Sequence, residues 1–268
     1  MINWNFHTHS TYCDGKDTLR EMTEKAIELG FDSLGFSGHS YIEFDLDCCM
    51  TPDGTKAYVE EIGHLKKEYS DRIKLFCGLE YDALSDVDTE PFDFIVGSVH
   101  YFKVGNEYLP FDMSPKVVQD AINRYFGGSF EAYAKAYFEL EAEVVESTKC
   151  DIIGHFDLVS KFNEALNFDE TDKYLYTAES ALDTLIKYGK PFEINTGAMA
   201  RGKRSVPYPS ENILKMIYKK GGSITINSDC HDKKYLNFYF DEAVDLARSV
   251  GFKTVKKFTE NGFLDVEI

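Results

Sequence analysis

Ile2-Asn3-Trp4-Asn5-Phe6-His7-Thr8-His9 is the stretch that decides the fold, because it joins a short apolar run to two histidines. The run predicts a β-strand over residues 2–6. In an extended chain the side chains of His7 and His9 project to the same side. The same order, a buried strand and then a histidine, recurs in Phe94-Ile95-Val96-Gly97-Ser98-Val99-His100. The repeating unit is therefore a strand whose end carries a side chain able to bind a metal.

Strands of this kind alternate with helices along the whole chain. Apolar residues at helical spacing, such as Tyr58, Ile62 and Leu65, predict the helices. Strands are predicted at 2–6, 33–36, 74–78, 92–98, 151–154, 192–195 and 223–227. Helices are predicted at 19–29, 56–69, 130–147, 177–187, 212–220 and 241–250. Seven repeats without a Gly/Ser-rich linker predict one α/β domain, residues 1–268, with a single parallel sheet.

Two stretches, 43–55 and 103–124, lack a clear period. The second contains Pro110 and Pro115. We predict loops there, of a length that in compact domains usually serves as a lid or an entrance.

The composition restricts the partners of the chain. The 46 acidic and 29 basic side chains give a formal net charge of −17, which repels nucleic acids and favours metal cations or a partly cationic substrate. No apolar run approaches the roughly 18 residues of a spanning helix, so no membrane partner is expected. Residues 1–7 lack signal-peptide features, and the six cysteines lack CxxC spacing. These features predict reduced thiols in the cytoplasm; the oligomeric state stays open.

The histidines follow the strands. Of seven in the chain, only His64 lies within a predicted helix. Two carboxylates, Glu80 and Asp229, also follow strands. Because the carboxyl ends of parallel barrel strands meet at one face, we expect all of these side chains to converge there. The six histidines are His7, His9, His39, His100, His155 and His231.

Imidazole nitrogens and carboxylate oxygens together suit zinc, manganese or iron. Since one ion takes three or four protein ligands, eight or nine ligands predict two to three divalent ions. Such a cluster can hold a bridging hydroxide at neutral pH, which attacks a phosphate ester in line. The sequence has no phosphate-binding P-loop and no GxSxG elbow. Metal-dependent phosphate-ester hydrolysis is therefore the predicted chemistry.

Four motifs resemble those of the polymerase-and-histidinol-phosphatase (PHP) family, over essentially the whole chain. They are His7-Thr8-His9-Ser10, Gly35-Phe36-Ser37-Gly38-His39, Gly97-Ser98-Val99-His100 and Asn227-Ser228-Asp229-Cys230-His231. The resemblance implies a distorted (β/α)7 barrel with a trinuclear metal site at the carboxyl ends of the strands. It implies a first metal held by His7, His9, Glu80 and Asp229. Glu80 would bridge to a second, held by His100 and His155, and the third would be held by His39 and His231.

The chain departs from the family at one ligand. Many relatives have a further histidine shortly after the HxH pair, and this chain has none. Asp17, in Asp17-Thr18-Leu19, resembles the histidinol phosphatase branch and is the preferred replacement. Asp14 is the alternative, although Asp14-Gly15 is also a turn signal and Asp17 could cap a helix.

Two further segments, 154–162 and 193–210, resemble stand-alone histidinol phosphatases. This implies a phosphoric monoester hydrolase that releases phosphate from L-histidinol phosphate. Lys161 and Arg201 are the candidates for binding the phosphate oxygens, with Lys203 and Arg204 as rivals. The residues considered for proton transfer are Asp229 and His231, and those considered for the imidazole and amine are Tyr41, Glu43, Tyr101 and Phe102.

Three other functions stay open at the level of sequence. The first is hydrolysis of another small phosphate ester. The second is a metal-dependent amidohydrolase, which typically has eight strands and a lysine bridge, whereas here Glu80 occupies the bridging place. The third is a non-catalytic metal-binding module of the kind attached to replication proteins, although such modules often lack several ligands and the acidity of the chain disfavours DNA.

Overall fold

The computed structural model describes residues 2–268, in which seven parallel strands form a nearly closed barrel surrounded by helices. The barrel sheet has the order β1-β2-β3-β4-β7-β8-β9, and each neighbouring pair in it is parallel. This topology confirms the predicted (β/α)7 barrel. In chain order the strands are β1 (Trp4–Asn5), β2 (Ser33–Phe36), β3 (Lys74–Asp82), β4 (Phe94–Ser98), β5 (Tyr101–Val104), β6 (Glu107–Pro110), β7 (Ile152–Ile153), β8 (Phe192–Asn195), β9 (Ile224–Asn227), β10 (Thr254–Thr259) and β11 (Gly262–Glu267).

The barrel closes between its first and last strands just beyond their regular ends, through a single parallel bridge. The His9 N–H donates to the Cys230 carbonyl over 2.9 Å, and the Cys230 N–H donates to the His7 carbonyl over 3.2 Å. Nearer the strands, the Phe6 N–H donates to the side-chain oxygen of Asn227 over 2.8 Å. Closure therefore depends on few contacts, and these lie in the layer that carries the histidines.

Helices cover the outside of the barrel. The predicted helices are confirmed, although 130–147 is interrupted after Glu141 and 177–187 begins earlier, at Asp172. None of the helices within residues 2–268 is long and apolar enough to cross a membrane. The helices are α1 (Leu19–Glu28), α2 (Pro52–Glu68), α3 (Pro115–Tyr125), α4 (Phe130–Glu141), α5 (Val144–Thr148), α6 (Asn163–Leu166), α7 (Asp172–Leu185), α8 (Gly197–Ala200), α9 (Glu211–Lys219) and α10 (Phe240–Val250).

The loop predicted over 103–124 is wrong. It contains most of the β5–β6 hairpin and nearly all of α3. Pro115 occupies the first turn of α3, where proline lacks only an N–H that a helix leaves unpaired, and the Ser114 hydroxyl accepts the Val117 N–H as a cap. Pro52 begins α2 in the same way after Thr51, so the loop predicted over 43–55 ends at residue 51.

A C-terminal hairpin, β10–β11, was not predicted from the sequence, and it completes the barrel core. Its Phe258 ring packs against three rings of the barrel, with centroid separations of 5.9 Å to Phe6, 5.3 Å to Phe76 and 5.2 Å to Phe94. These residues are buried. Aromatic side chains thus fill the barrel interior below the histidine layer.

Two glycines make room for this aromatic core. A Cβ placed on Gly35 would lie 2.8 Å from both the Phe94 and the Phe6 ring, and one placed on Gly78 would lie 2.3 Å from the Phe94 ring. Such separations are far below van der Waals contact. The absence of a side chain at these two strand positions is therefore a packing requirement.

We expect Gly78→Ala to lower the free energy of unfolding by about 1–3 kcal/mol, because the added methyl group overpacks the core. Gly63→Ala is the matched control, since Gly63 lies inside α2 with open space around its Cβ position. That change should be neutral or stabilising by up to about 1 kcal/mol. Urea unfolding of both variants measures the difference, and equal stabilities would contradict the packing argument.

Candidate metal centre

The structure brings together the histidines and carboxylates that follow the barrel strands. They occupy one end of the barrel, where the carboxyl ends of its strands meet. His64 lies apart, on the surface of α2, with its side chain 71% exposed. The residues that converge are His7, His9, His39, Glu80, His100, His155, Asp229 and His231.

Glu80 occupies the centre of this group. Its side chain is fully buried, and β3 extends past the predicted end so that Glu80 lies within the strand. One oxygen, Oε1, lies 3.3 Å from Nε2 of His100 and 2.9 Å from Nε2 of His155. These atoms form one corner of the site, to which β3, β4 and β7 each contribute.

The other oxygen of Glu80, Oε2, faces the pair from the first strand. It lies 3.3 Å from Nε2 of His7 and 3.5 Å from Nε2 of His9. Asp229 completes this corner, with its Oδ1 3.3 Å from Nε2 of His9. The two oxygens of Glu80 therefore point to two different groups of ligands, as a bridging carboxylate requires.

A third group forms around Asp14. Its Oδ2 lies 3.1 Å from Nε2 of His231, and its Oδ1 lies 3.6 Å from Nε2 of His39. Together with His9 they form a set whose candidate ligand atoms all lie within 4.8 Å of one another. His39 also contacts Glu80, with Nδ1 2.8 Å from Oε2.

The structure does not bring Asp17, the preferred candidate, into this group. Its Oδ2 accepts the Lys233 N–H over 2.8 Å, and its Oδ1 lies 3.1 Å from the Lys233 ammonium. It is not the helix cap either, because Thr18 caps α1 in a capping box with Glu21. Asp17 therefore joins its own loop to the loop that carries Lys233. Asp14 lies beside His39 and His231, where Asp17 was expected.

The residues present fit divalent cations. Nε2 of His7, Nε2 of His9 and Oε2 of Glu80 are buried without a hydrogen-bond partner, since the close contact of Oε2 with His39 lacks hydrogen-bond geometry, and buried polar atoms are rarely left unpaired. The three atoms converge. Their separations of 3.3 and 3.5 Å match the edge of a tetrahedron with metal–ligand bonds of about 2.1 Å. A cation between them would satisfy all three.

The two carboxylates of the centre are held in the ionised form. Burial alone would raise the pKa of Glu80, but His39, His7 and His100 outweigh it and hold that pKa well below its usual range. Burial likewise acts against Arg201 and His7 at Asp229, whose pKa is also held well below its usual range. Burial, with His231 and His39, lowers the pKa of His9 to about 3. The carboxylates in turn outweigh burial at His7, His39 and His100 and raise their pKa values, so a cation bound there would displace protons from these imidazoles.

A cavity of about 350 Å³ opens onto this centre and contains both favoured phosphate-binding candidates. Arg201 donates from Nη2 to Oδ2 of Asp229 over 3.0 Å and from Nη1 to the Asp229 carbonyl over 2.9 Å. Lys161 donates from Nζ to Oδ2 of Asp112 over 2.8 Å. The cavity wall thus carries these two cationic side chains and Lys16, each paired with an acid.

The two rival cations do not line this cavity. Arg204 is buried, with Nη1 3.5 Å from Oδ2 of Asp157 and 2.5 Å from the Ser160 hydroxyl, and its guanidinium lies over the Tyr208 ring. Lys203 is exposed. Arg204 therefore ties the segment around residue 160 to the segment around residue 207.

Four aromatic and acidic residues were considered from the sequence for binding an imidazole and an amine. Of these, only Tyr101 lines the cavity, where its hydroxyl contacts Asp45. Phe102 is buried against Phe111. Tyr41 and Glu43 lie outside the cavity wall.

Sequence reasoning missed three acids of the wall, Asp45, Asp82 and Asp112. Asp82 had a signal, because it follows Glu80 at i+2 on the same strand face. Asp45 and Asp112 lie in the irregular stretches and had none.

Comparisons with known proteins agree with this geometry. A family model described as the PHP domain matches residues 5–197. A Deinococcus radiodurans protein named probable histidinol-phosphatase is 28% identical, over 93% of this chain and 94% of its own. The histidinol-phosphatase of Bacillus subtilis is 24% identical, over 88% and 96%. The crystal structure of histidinol phosphate phosphatase from Lactococcus lactis, complexed with zinc, L-histidinol and phosphate, is 23% identical, covers 97% of this chain and 98% of its own, and has a TM-score of 0.72.

We expect His100→Ala to remove at least one metal ion per chain, because it deletes one of the two imidazoles at Oε1 of Glu80. The loss of affinity should exceed the roughly 10–100-fold that loss of an outer-shell partner costs. Elemental analysis after dialysis against a buffered metal solution measures it. His64→Ala, at an exposed helical site, is the control and should keep the metal content of the wild type. If His100→Ala also keeps that metal content, the assignment of the cluster is wrong.

Proposed function

The chain belongs to the PHP domain family, and on this premise we propose that it is a metal-dependent phosphoric monoester hydrolase that converts L-histidinol phosphate to L-histidinol and phosphate. The observation that carries the proposal is the convergence of six imidazoles and three carboxylates beside a cavity lined by Arg201 and Lys161. The names of the curated relatives, which align over nearly the whole chain, support the substrate.

Two to three divalent ions, zinc, manganese or iron, complete the proposed site. Such ions supply an activated water at neutral pH and positive charge against the phosphoryl oxygens. Glu80 is shared between the first and second sites, and Asp14 takes the third in place of Asp17. The proposed ligands are His7, His9, Glu80 and Asp229 for the first ion, Glu80, His100 and His155 for the second, and Asp14, His39 and His231 for the third.

Arg201 and Lys161 bind the phosphate group in this proposal. The Arg201 side chain lines the cavity and is 29% exposed, although two bonds hold it to Asp229 and Nη1 lies 2.9 Å from Nδ1 of His231. A planar guanidinium can bind two phosphate oxygens at once, whereas Lys161 acts as a point charge. Both would stabilise the charge that develops at phosphorus, and Asp229 or His231 would assist proton transfer to the departing alkoxide.

The cavity wall also carries acidic side chains, which suit a cation. Asp45 and Asp82 line it beside Tyr101, whereas Asp112, which also lines it, is paired with Lys161. A small ester with a phosphate at one end and an ammonium group at the other would meet charges of opposite sign at both ends. The cavity volume of about 350 Å³ fits such a molecule.

The three alternative functions that the sequence left open are not equally supported by the structure. An amidohydrolase is disfavoured, because the barrel has seven strands and a glutamate, not a lysine, at its centre. A non-catalytic module is disfavoured because the ligand set is almost complete. Another small phosphate ester remains the second candidate, since the phosphate end of the cavity would accept it equally.

A cytoplasmic location stays part of the proposal, in keeping with six free cysteines.

Phosphate release from L-histidinol phosphate, by protein of known metal content, tests the substrate directly. We expect its kcat/KM to exceed that of sugar phosphates, nucleotides and aryl phosphates, because only a cationic substrate uses the acidic wall. Comparable turnover of another ester would overturn the substrate and keep the reaction class. A fully metallated protein that hydrolyses no ester would overturn both.

Arg201→Ala should lower kcat/KM by about 10–100-fold, since a charge-assisted hydrogen bond is worth roughly 1.5–3 kcal/mol. Lys203→Ala, two residues away and outside the cavity, should leave kcat/KM unchanged. Steady-state kinetics, with metal content measured for both variants, makes the comparison. If the two variants behave alike at equal metal content, Arg201 does not bind phosphate.

A further inference from the structure

Glu193, on β8, lies behind the metal centre and makes four hydrogen bonds although its side chain is fully buried. Its Oε1 accepts the Nδ1–H of His7 over 2.8 Å and an amide N–H of Asn227 over 2.9 Å. Its Oε2 accepts the backbone N–H of His155 over 3.0 Å and an amide N–H of Asn195 over 2.9 Å. Glu193 belongs to none of the candidate ligand groups among residues 2–268.

The orientation of the two asparagine amides is determined by other contacts. Oδ1 of Asn227 accepts the Phe6 N–H over 2.8 Å, and Oδ1 of Asn195 accepts the Gly197 N–H over 2.9 Å. Both amide nitrogens must therefore donate to Glu193, as the backbone N–H of His155 must. A carboxylate surrounded by donors in this way can only accept.

This arrangement selects one tautomer of His7. Since Glu193 only accepts, Nδ1 of His7 carries the proton, and Nε2 presents its lone pair to the first proposed metal site. At the same time, Oε2 holds the backbone of His155, whose Nε2 faces the second site. Glu193 therefore supports both proposed sites, one through each of its oxygens. Glu80 likewise contributes one oxygen to each site.

We propose that Glu193 is a positioning residue shared by the first and second metal sites, so that its loss weakens the binding of both ions together. The inference rests on the metal ligands of the proposed function, but not on the substrate. Outer-shell carboxylates of this kind are worth about 10–100-fold in metal affinity.

Asp82 offers a matched comparison, because it supports one histidine only. Its Oδ2 accepts the backbone N–H of His100 over 2.8 Å and lies 3.2 Å from Nδ1 of the same residue. His100 faces the second site alone. Asp82→Ala should therefore weaken a single ion, whereas Glu193→Ala, which removes both accepting oxygens, should weaken two.

The test is manganese or zinc binding by the metal-free proteins, followed by calorimetry and by elemental analysis at a metal concentration that just saturates the wild type. We expect Glu193→Ala to retain two ions fewer than the wild type, each bound about 10–100-fold more weakly, and Asp82→Ala to retain one fewer. Unchanged affinities in Glu193→Ala, or loss of one ion only, would overturn the shared role.

A measurement on the wild type keeps the inference testable if Glu193→Ala fails to fold. In the ¹⁵N NMR spectrum of the zinc-loaded protein, His7 should show a protonated Nδ1 and a metal-bound Nε2. Ligation through Nδ1 would overturn the inference. Neither readout uses turnover, so a protein that binds metal normally but does not hydrolyse L-histidinol phosphate would contradict the proposed function and leave the role of Glu193 standing.

Discussion

The buried charge of Glu80 is the constraint on which the rest of the structure depends. A carboxylate without solvent is costly unless other charges and hydrogen bonds compensate it. Five imidazoles lie within 3.5 Å of its oxygens, and the Ser98 hydroxyl donates to Oε1 over 2.8 Å. Those partners come from four strands besides its own. Glu80 can therefore be accommodated only when the barrel has assembled around it, and this couples the fold to the site.

A second proposed ligand, Asp229, is held in place by local backbone strain and close packing. Asp229 has a positive φ of 46°, a conformation that few residues other than glycine adopt. Arg201 binds both its carbonyl and its carboxylate, and Gly197 leaves the space, since a Cβ there would lie 2.8 Å from that of Asp229. Arg201, which would bind phosphate, therefore also holds Asp229 in this conformation, so the proposed phosphate contact and the ligand geometry share one side chain.

Carboxylates that are not themselves proposed ligands hold several of the histidines in place. Glu193 orients His7 and the backbone of His155, and Asp82 orients His100. Behind them, the buried Arg204–Asp157 pair ties the segment before Lys161 to the segment after Arg201. The acidic composition of the chain thus has a structural explanation in part: several of its carboxylates hold imidazoles or cations in place, and do not serve solubility alone.

The sequence by itself determined the order of strands and helices and nearly all of the proposed ligands, because both depend on local rules. Strand periodicity is read over a few residues, and a side chain that directly follows a barrel strand has to lie at the active end. It could not identify the β5–β6 and C-terminal hairpins, whose strands are only partly buried and so lack a continuous apolar run.

Only the tertiary structure decided between neighbours in the same loop. Asp14 and Asp17 are three residues apart, as are Arg201 and Arg204, and each pair contains the same chemistry. One member of each pair faces the cavity, and the other joins two loops. The turn of the backbone, set by distant partners such as Lys233 and Asp157, makes that choice. Glu193 also could be recognised only from the tertiary structure. Its role depends on three other strands that meet it only in the closed barrel.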